Sequence, residues 1–296
     1  MRTETLGAID IGSNAIRLLI SNTDAGGAFP DIRKTAFLRV PIRLGEDVFT
    51  KGMIGNKKKK QLVEAMVCFL QVMKMYNVSR YKACATSAMR EAENRMEIID
   101  LIYMKSGIAV EIISGQEEAD IIFEAGKLNA IITQKSNYLY VDVGGGSTEV
   151  VVYVDRQKVA SNSFQIGTVR MLSNAVEKSE VTNFEKWLEK IYKQYESLSI
   201  IASGGNINKV HKILGKRDGE VILYPELQTL YNALSAMTYE QRMHSYNMNT
   251  YRADVVIPAV EIFLIVCNTC FVRNIHVPKV GVVDGIIRNL YYNKNH

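Results

Sequence analysis

Asp10 and Asp142 each stand at the end of an apolar run, directly before a bend. The first run reads Ala8-Ile9-Asp10-Ile11-Gly12-Ser13-Asn14 and the second Tyr140-Val141-Asp142-Val143-Gly144-Gly145-Gly146-Ser147. A carboxylate beside glycines and hydroxyls suits a phosphate held through a cation. Glycines let backbone N–H groups approach an anion closely, and Ser13, Ser147 and Thr148 add hydroxyl donors. Aspartates alone repel phosphate, so a divalent cation belongs between them and the oxygens. The phosphate-binding candidates are therefore Gly12, Ser13, Asn14, Gly144, Gly145, Gly146, Ser147 and Thr148, and Asp10 and Asp142 are candidate metal ligands.

Three other stretches carry chemistry-bearing residues. Ile113-Ser114-Gly115-Gln116-Glu117-Glu118-Ala119 puts two glutamates in a helix's first turn. Acidic residues there complement the helix dipole. Adjacent glutamates point about 100° apart, so one can cap while the other orients and deprotonates a water. Thr86-Ser87-Ala88-Met89-Arg90 follows a strand. Arg90 is suited to a two-bonded phosphate contact, and equally to a surface position on a capped helix. Lys57 to Lys60 open a helix against its dipole and read as a solvated charge run rather than a polyanion site.

The elements that must position these residues alternate between strand and helix, which predicts α/β architecture. Each glycine bend joins two strand-like runs and so forms a hairpin; a P-loop or Rossmann turn would run from strand into helix. A third strand is expected at Ala36 to Arg43, a helix from Lys57 to Tyr76, strands at Tyr81 to Ala85 and Ala109 to Ile113, and a helix from Gln116. The second half repeats the order, with a strand near Val159 to Gln165, helices from Gly167 to Tyr195, a strand at Leu198 to Ala202 broken by Ser203-Gly204-Gly205, a strand at Val277 to Gly281 and a closing helix from Val283. The halves look like a duplicated unit facing its twin across a cleft. The expected domains are 1–124 and 125–296, bridged by a helix from Gln116 to Ile132, with the closing helix packing back on the first.

The chain of 296 residues suits two domains. Its net charge of +5 accommodates a polyanion but is too weak to argue for duplex nucleic acid. No apolar run reaches the roughly 20 residues of a membrane span, and the N-terminus lacks a signal-peptide layout. Cys68, Cys84, Cys267 and Cys270 lack a secreted framework's spacing, which points to a reducing, cytoplasmic setting. Cys267 and Cys270 form a lone Cys-x-x-Cys in an apolar helical run, read as packing rather than a zinc site.

Taken together, the stretches A-I-D-I-G-S-N-A-I-R-L, A-T-S-A-M-R-E-A-E-N, E-I-I-S-G-Q-E-E-A and V-D-V-G-G-G-S-T-E-V resemble the exopolyphosphatase / guanosine pentaphosphate phosphohydrolase (Ppx/GppA) family of the actin-like ATPase superfamily. Weaker matches at 165–171, 202–209 and 252–258 follow in the family's order. The resemblance implies two ribonuclease-H-like domains with a phosphate-binding cleft between them. It implies hydrolysis of the terminal phosphate of polyphosphate or of the 5′ γ-phosphate of guanosine pentaphosphate, with Mg²⁺ or another divalent cation. By position it makes Glu118 the water-activating base and Arg90 the phosphate-holding arginine. It assigns Asp142 and Glu149 to the metal, with Asp10 as the first-loop aspartate. A homodimer is the family's usual form.

The chain departs from the family in three ways, one being Val260 and Glu261 where relatives often have small residues. The additional C-terminal helical domains of longer members do not follow the second domain, which bears on processivity along polyphosphate. The closing segment reads G-V-V-D-G-I-I where relatives often carry an arginine before the acidic-glycine pair. Two other functions remain open: ATP-dependent phosphotransfer, as elsewhere in the superfamily, and a non-catalytic sensor of polyphosphate or guanosine alarmones.

Overall fold

The computed structural model describes residues 3–24, 31–124, 137–195 and 197–293. The chain divides into two compact units, Met1–Gly126 together with Gly281–His296, and Lys127–Val280.

The first unit opens with β1 (Thr3–Ile11), β2 (Ile16–Asp24) and β3 (Asp31–Val40). Pro41 ends β3 earlier than expected, because proline cannot donate to the ladder. Then come α1 (Leu44–Lys51), α2 (Asn56–Met75), β4 (Arg80–Ala85), α3 (Ser87–Glu91), α4 (Arg95–Ser106), β5 (Val110–Ile112) and α5 (Gly115–Glu124). The remainder of the expected bridging helix, to Ile132, lies outside the described residues. The sheet order is β3-β2-β1-β4-β5, with both hairpins antiparallel and β1, β4 and β5 parallel. Ile9, Ile11, Ala83 and Ala85 enter a core with Leu62, Met66 and Phe69 of α2 and Ile98 and Ile102 of α4. Side chains alternate along a strand, so Asp10 and Cys84 belong to the other face.

The second unit repeats this plan. Its elements are β6 (Asn137–Val143), β7 (Thr148–Val154), β8 (Gln157–Phe164), α6 (Thr168–Leu172), α7 (Lys178–Gln194), β9 (Leu198–Ser203) and α8 (Gly205–Ile213). They continue with β10 (Ile222–Leu223), α9 (Tyr224–Ala236), α10 (Tyr239–Ser245), α11 (Val256–Thr269) and β11 (Asn274–His276). The order β8-β7-β6-β9-β11 matches that of the first sheet, with β10 added at the edge. The last parallel strand ends at His276 rather than spanning Val277 to Gly281. Pro278 interrupts that segment and supplies no donor. Leu139, Val141, Val150 and Ile200 build the core with Phe184, Leu188 and α11. Cys267 and Cys270 are buried free thiols there, pushed up to about 12 by burial, which fits packing rather than redox chemistry.

The closing helix α12 (Val282–Tyr292) belongs to the first unit. It packs on β1, β2, β4 and α5, covering the face opposite α2 and α4.

Candidate functional site

The glycine bends are hairpin turns of the same construction. In the first, Gly12 N–H donates to Ala15 O at 3.2 Å; in the second, Gly144 N–H donates to Ser147 O at 2.9 Å. The other loop carbonyls are held by the segment after each third strand. Gly45 N–H donates to Ser13 O and Arg43 N–H to Asn14 O. Thr168 N–H donates to Gly144 O and Val169 N–H to Gly145 O, while the buried Arg170 donates Nε–H to Gly146 O at 2.7 Å. With these carbonyls turned into the protein, the N–H groups of Gly145 and Gly146 donate no hydrogen bond among the described residues. Outward N–H groups are the anion-binding half of the peptide.

Close approach rather than backbone conformation favours glycine at Gly12 and Gly144, neither of which has positive φ. A Cβ on Gly144 would lie 3.0 Å from Ser147 O, and one on Gly167 would lie 2.5 Å from Gly146 N.

The hydroxyls behave differently from the expectation. Thr148 Oγ1 donates its one proton to Ile166 O at 2.6 Å and is fully buried, so it braces the loop instead of reaching a phosphate. Ser147 Oγ donates to Glu149 at 2.6 Å, leaving its backbone N–H for an anion. Ser13 Oγ accepts from Ala88 N–H at 3.2 Å, tying the first loop to α3.

Strand register carries the charged groups. In the first unit Arg17, Asp10, Cys84 and Glu111 stand side by side across β2, β1, β4 and β5. In the second the same row reads Ser163, Glu149, Asp142 and Ser203 across β8, β7, β6 and β9. Arg17 Nη1 pairs with Asp10 Oδ2, so Asp10 is not the bare metal ligand expected. Its Oδ1 is buried and makes no hydrogen bond among the described residues. Sequence reading passed over Arg17, although its place opposite Asp10 follows from the hairpin register. At the matching place the second unit has a carboxylate, and Asp142 and Glu149 are both buried.

Among the described residues, no three His, Cys, Asp or Glu side chains form a metal-holding group. Two neighbouring carboxylates nonetheless fit Mg²⁺, a hard cation commonly held by one or two carboxylates plus substrate phosphates and water. The Ser203-Gly204-Gly205 turn packs on Asp142 and the Val143 backbone. Gly204 has φ of 110°, and a Cβ there would lie 3.1 Å from Asp142 Oδ1.

In the first unit the remaining candidates gather at the C-terminal ends of β4 and β5. Arg90 Nη1 donates to Ile113 O at 2.7 Å, which fixes the half-buried guanidinium where β5 turns into α5. Of the two glutamates, Glu117 is the one that caps α5. Glu117 and Ser114 form the reciprocal cap, with Ser114 N–H to Glu117 Oε2 at 2.7 Å and Glu117 N–H to Ser114 Oγ at 3.1 Å. The Ser114 backbone N–H, helped by the Ser114 hydroxyl, holds the Glu117 carboxyl below its usual range. Glu118 is half-buried. Its charge and that of Asp10 both bear on the Cys84 thiol, which burial pushes up to about 12.

Two features lie apart from the site. Lys58 pairs with Glu46 and Asp47, Lys59 with Glu97 and Lys60 with Glu64, so most of the lysine run is used structurally. A groove of about 450 Å³, lined by residues including Ile213, Leu214, Leu230 and Tyr246, contains none of the candidates.

Two sheets of order 3-2-1-4-5, each with an acid before a tight hairpin loop, define an actin-like ATPase fold of two ribonuclease-H-like units. A model of the Ppx/GppA phosphatase family matches residues 19–293, and the chain belongs to that family. Exopolyphosphatase 2 of Mycobacterium tuberculosis is 32% identical over 179 residues, covering 58% of this chain and 54% of that protein. The guanosine-5′-triphosphate,3′-diphosphate pyrophosphatase of Aeromonas hydrophila is 23% identical over 302 residues, covering 98% of this chain and 60% of its own length. The chain thus spans little more than half of these sequence relatives. The crystal structure of an exopolyphosphatase from Cytophaga hutchinsonii matches with a TM-score of 0.84 at 23% identity, covering 98% of each chain. The Aquifex aeolicus member of the Ppx/GppA family matches at 0.79 and 22%, covering all of both chains.

Proposed function

We propose that this chain hydrolyses the terminal phosphoanhydride of inorganic polyphosphate, the 5′ γ-phosphate of guanosine pentaphosphate, or both. The observation that carries this reading is the pair of hairpin loops whose carbonyls are tied back, beside the carboxylates Asp10 in one unit and Asp142 with Glu149 in the other. Family membership and the names of the relatives support the same chemistry.

In this reading, N–H groups of Gly12 to Asn14 and of Gly144 to Ser147 hold phosphate oxygens. Arg90, with one of its five N–H donors used on Ile113, offers the others to the terminal phosphoryl group. Glu118 accepts a proton from the attacking water as the water oxygen bonds to phosphorus and the bridging P–O bond breaks. Asp142 and Glu149 would hold Mg²⁺ or another divalent cation, with Asp10 Oδ1 as the first loop's carboxylate oxygen; the bound cation neutralises charge on the phosphate oxygens. A cytoplasmic setting and a homodimer complete the proposal.

The test is phosphate release from polyphosphate and from guanosine pentaphosphate, with Mg²⁺ and with EDTA, for wild type and Glu118→Gln. We expect metal-dependent release that falls about 10²- to 10⁴-fold in the variant, with KM little changed. Transfer from ATP to an acceptor without release from either substrate would make the chain a phosphotransferase. Binding without release would make it a sensor.

A further inference from the structure

The closing helix meets the Glu118 helix at a point that admits no side chain. A Cβ built on Gly285 of α12 overlaps the Ile121 carbonyl oxygen of α5, with the carbonyl carbon at 2.6 Å and Ile121 Cγ2 at 2.7 Å. Gly285 does not have positive φ, so glycine is required here for proximity and not for backbone conformation. Ile121 lies three residues after Glu118, less than one turn further along α5.

Both helices are tied into the first unit on either side of this crossing. Near its N-terminus α12 is held by the Asp284–Lys34 ion pair at 2.6 Å and by the Asp284 bond to Gly281 N–H. Just past its C-terminus, Arg80 Nη1 donates to Asn293 O at 3.3 Å, and Arg80 is itself paired with Glu4. Between these ends Val282, Val283, Ile286 and Ile287 are buried. The segment entering α5 is held by Ile113 N–H donating to Ala85 O and by Arg90 donating to Ile113 O, and α5 itself carries the Ser114–Glu117 cap and the buried Ala119 and Ile122. A methyl group on residue 285 therefore has to part α5 from α12 by about 1 Å, the scale at which misplaced catalytic groups lose about 10²-fold in rate.

We infer that Gly285 is a positioning residue: its bare Cα sets how deeply α5 seats on α12 and thereby where the Glu118 carboxylate stands. The inference rests on the proposed role of Glu118. Its test is a double-mutant cycle on polyphosphate hydrolysis with Gly285→Ala and Glu118→Gln, measuring kcat and KM separately.

Gly285→Ala should lower kcat about 10- to 100-fold with KM within about twofold, and should have little further effect in the Glu118→Gln background. An equal fall in both backgrounds, or a rise in KM with kcat kept, would overturn the positioning role. A Glu118→Gln variant with undiminished kcat would instead overturn the reading of Glu118 itself. Should Gly285→Ala not fold, Ile121→Ala loosens the same crossing from the other side. It should lower kcat several-fold in wild type and not in Glu118→Gln; equal effects in both would again overturn the inference.

Discussion

Asp142 and Glu149 face each other across the β6–β7 hairpin at the register place that Asp10 and Arg17 occupy across β1–β2. The two units share a ladder but differ at this rung. One carries a neutralised ion pair, the other two buried acids with hydroxyl donors from Ser147 and Ser163 on Glu149.

Like charges directly opposite on a sheet destabilise it by a fraction of a kcal/mol to about 1 kcal/mol. Glu149→Gln should therefore melt no lower than wild type in EDTA. Wild type should gain Tm when Mg²⁺ is added, and the variant should gain clearly less. An equal Mg²⁺ gain in thermal unfolding would separate the acid pair from metal binding.

Arg17→Met removes the partner of Asp10, whose side chain is 4% exposed against 29% for Arg17. Breaking a fully buried pair costs about 3–5 kcal/mol, and the partial exposure of Arg17 lowers the expected loss to about 2–3 kcal/mol. Adding Asp10→Asn should return more than half of it. Urea denaturation of both variants measures this, and a double variant less stable than Arg17→Met would show that the charge is not the cause.

Glu117→Gln should weaken the α5 cap while leaving kcat nearly intact, the reverse of Glu118→Gln. The folded-state carboxyl titrates below the unfolded one because Ser114 donates to it. Its contribution is therefore present above the unfolded pKa of about 4.3 and lost as pH falls through the lower folded value. The stability gap between wild type and Glu117→Gln should close as acid titration proceeds below about pH 4. A gap that widens there would mean the cap does not depend on the ionised carboxyl.

Much of this was legible because local patterns and local geometry agree. Apolar runs on both sides of Gly12 and of Gly144 read as hairpins, and the β/α alternation read as α/β; the ladders have that form. The division of labour between Glu117 and Glu118 was visible only as a possibility, since choosing the capping residue needs the Ser114 backbone direction. Other features arise from tertiary pairing that spacing does not encode. The partners of Lys58 and Lys59 come from α1 and α4, and the hydroxyls of Thr148 and Ser13 are engaged by Ile166 and Ala88. The overlap at Gly285 joins α12 to Ile121, far away in sequence, and leaves no periodic trace.

The return of α12 to the first sheet also dictates an order of assembly on the ribosome. Lys127–Val280 is one continuous stretch and has all its strands once β11 emerges. The first unit must wait with Leu6 and Ala8 uncovered until α12 is translated, so a nascent chain exposes that apolar face while the whole second unit is made. Chaperone occupancy during translation should therefore centre on β1, which is made a whole unit ahead of the helix that covers it.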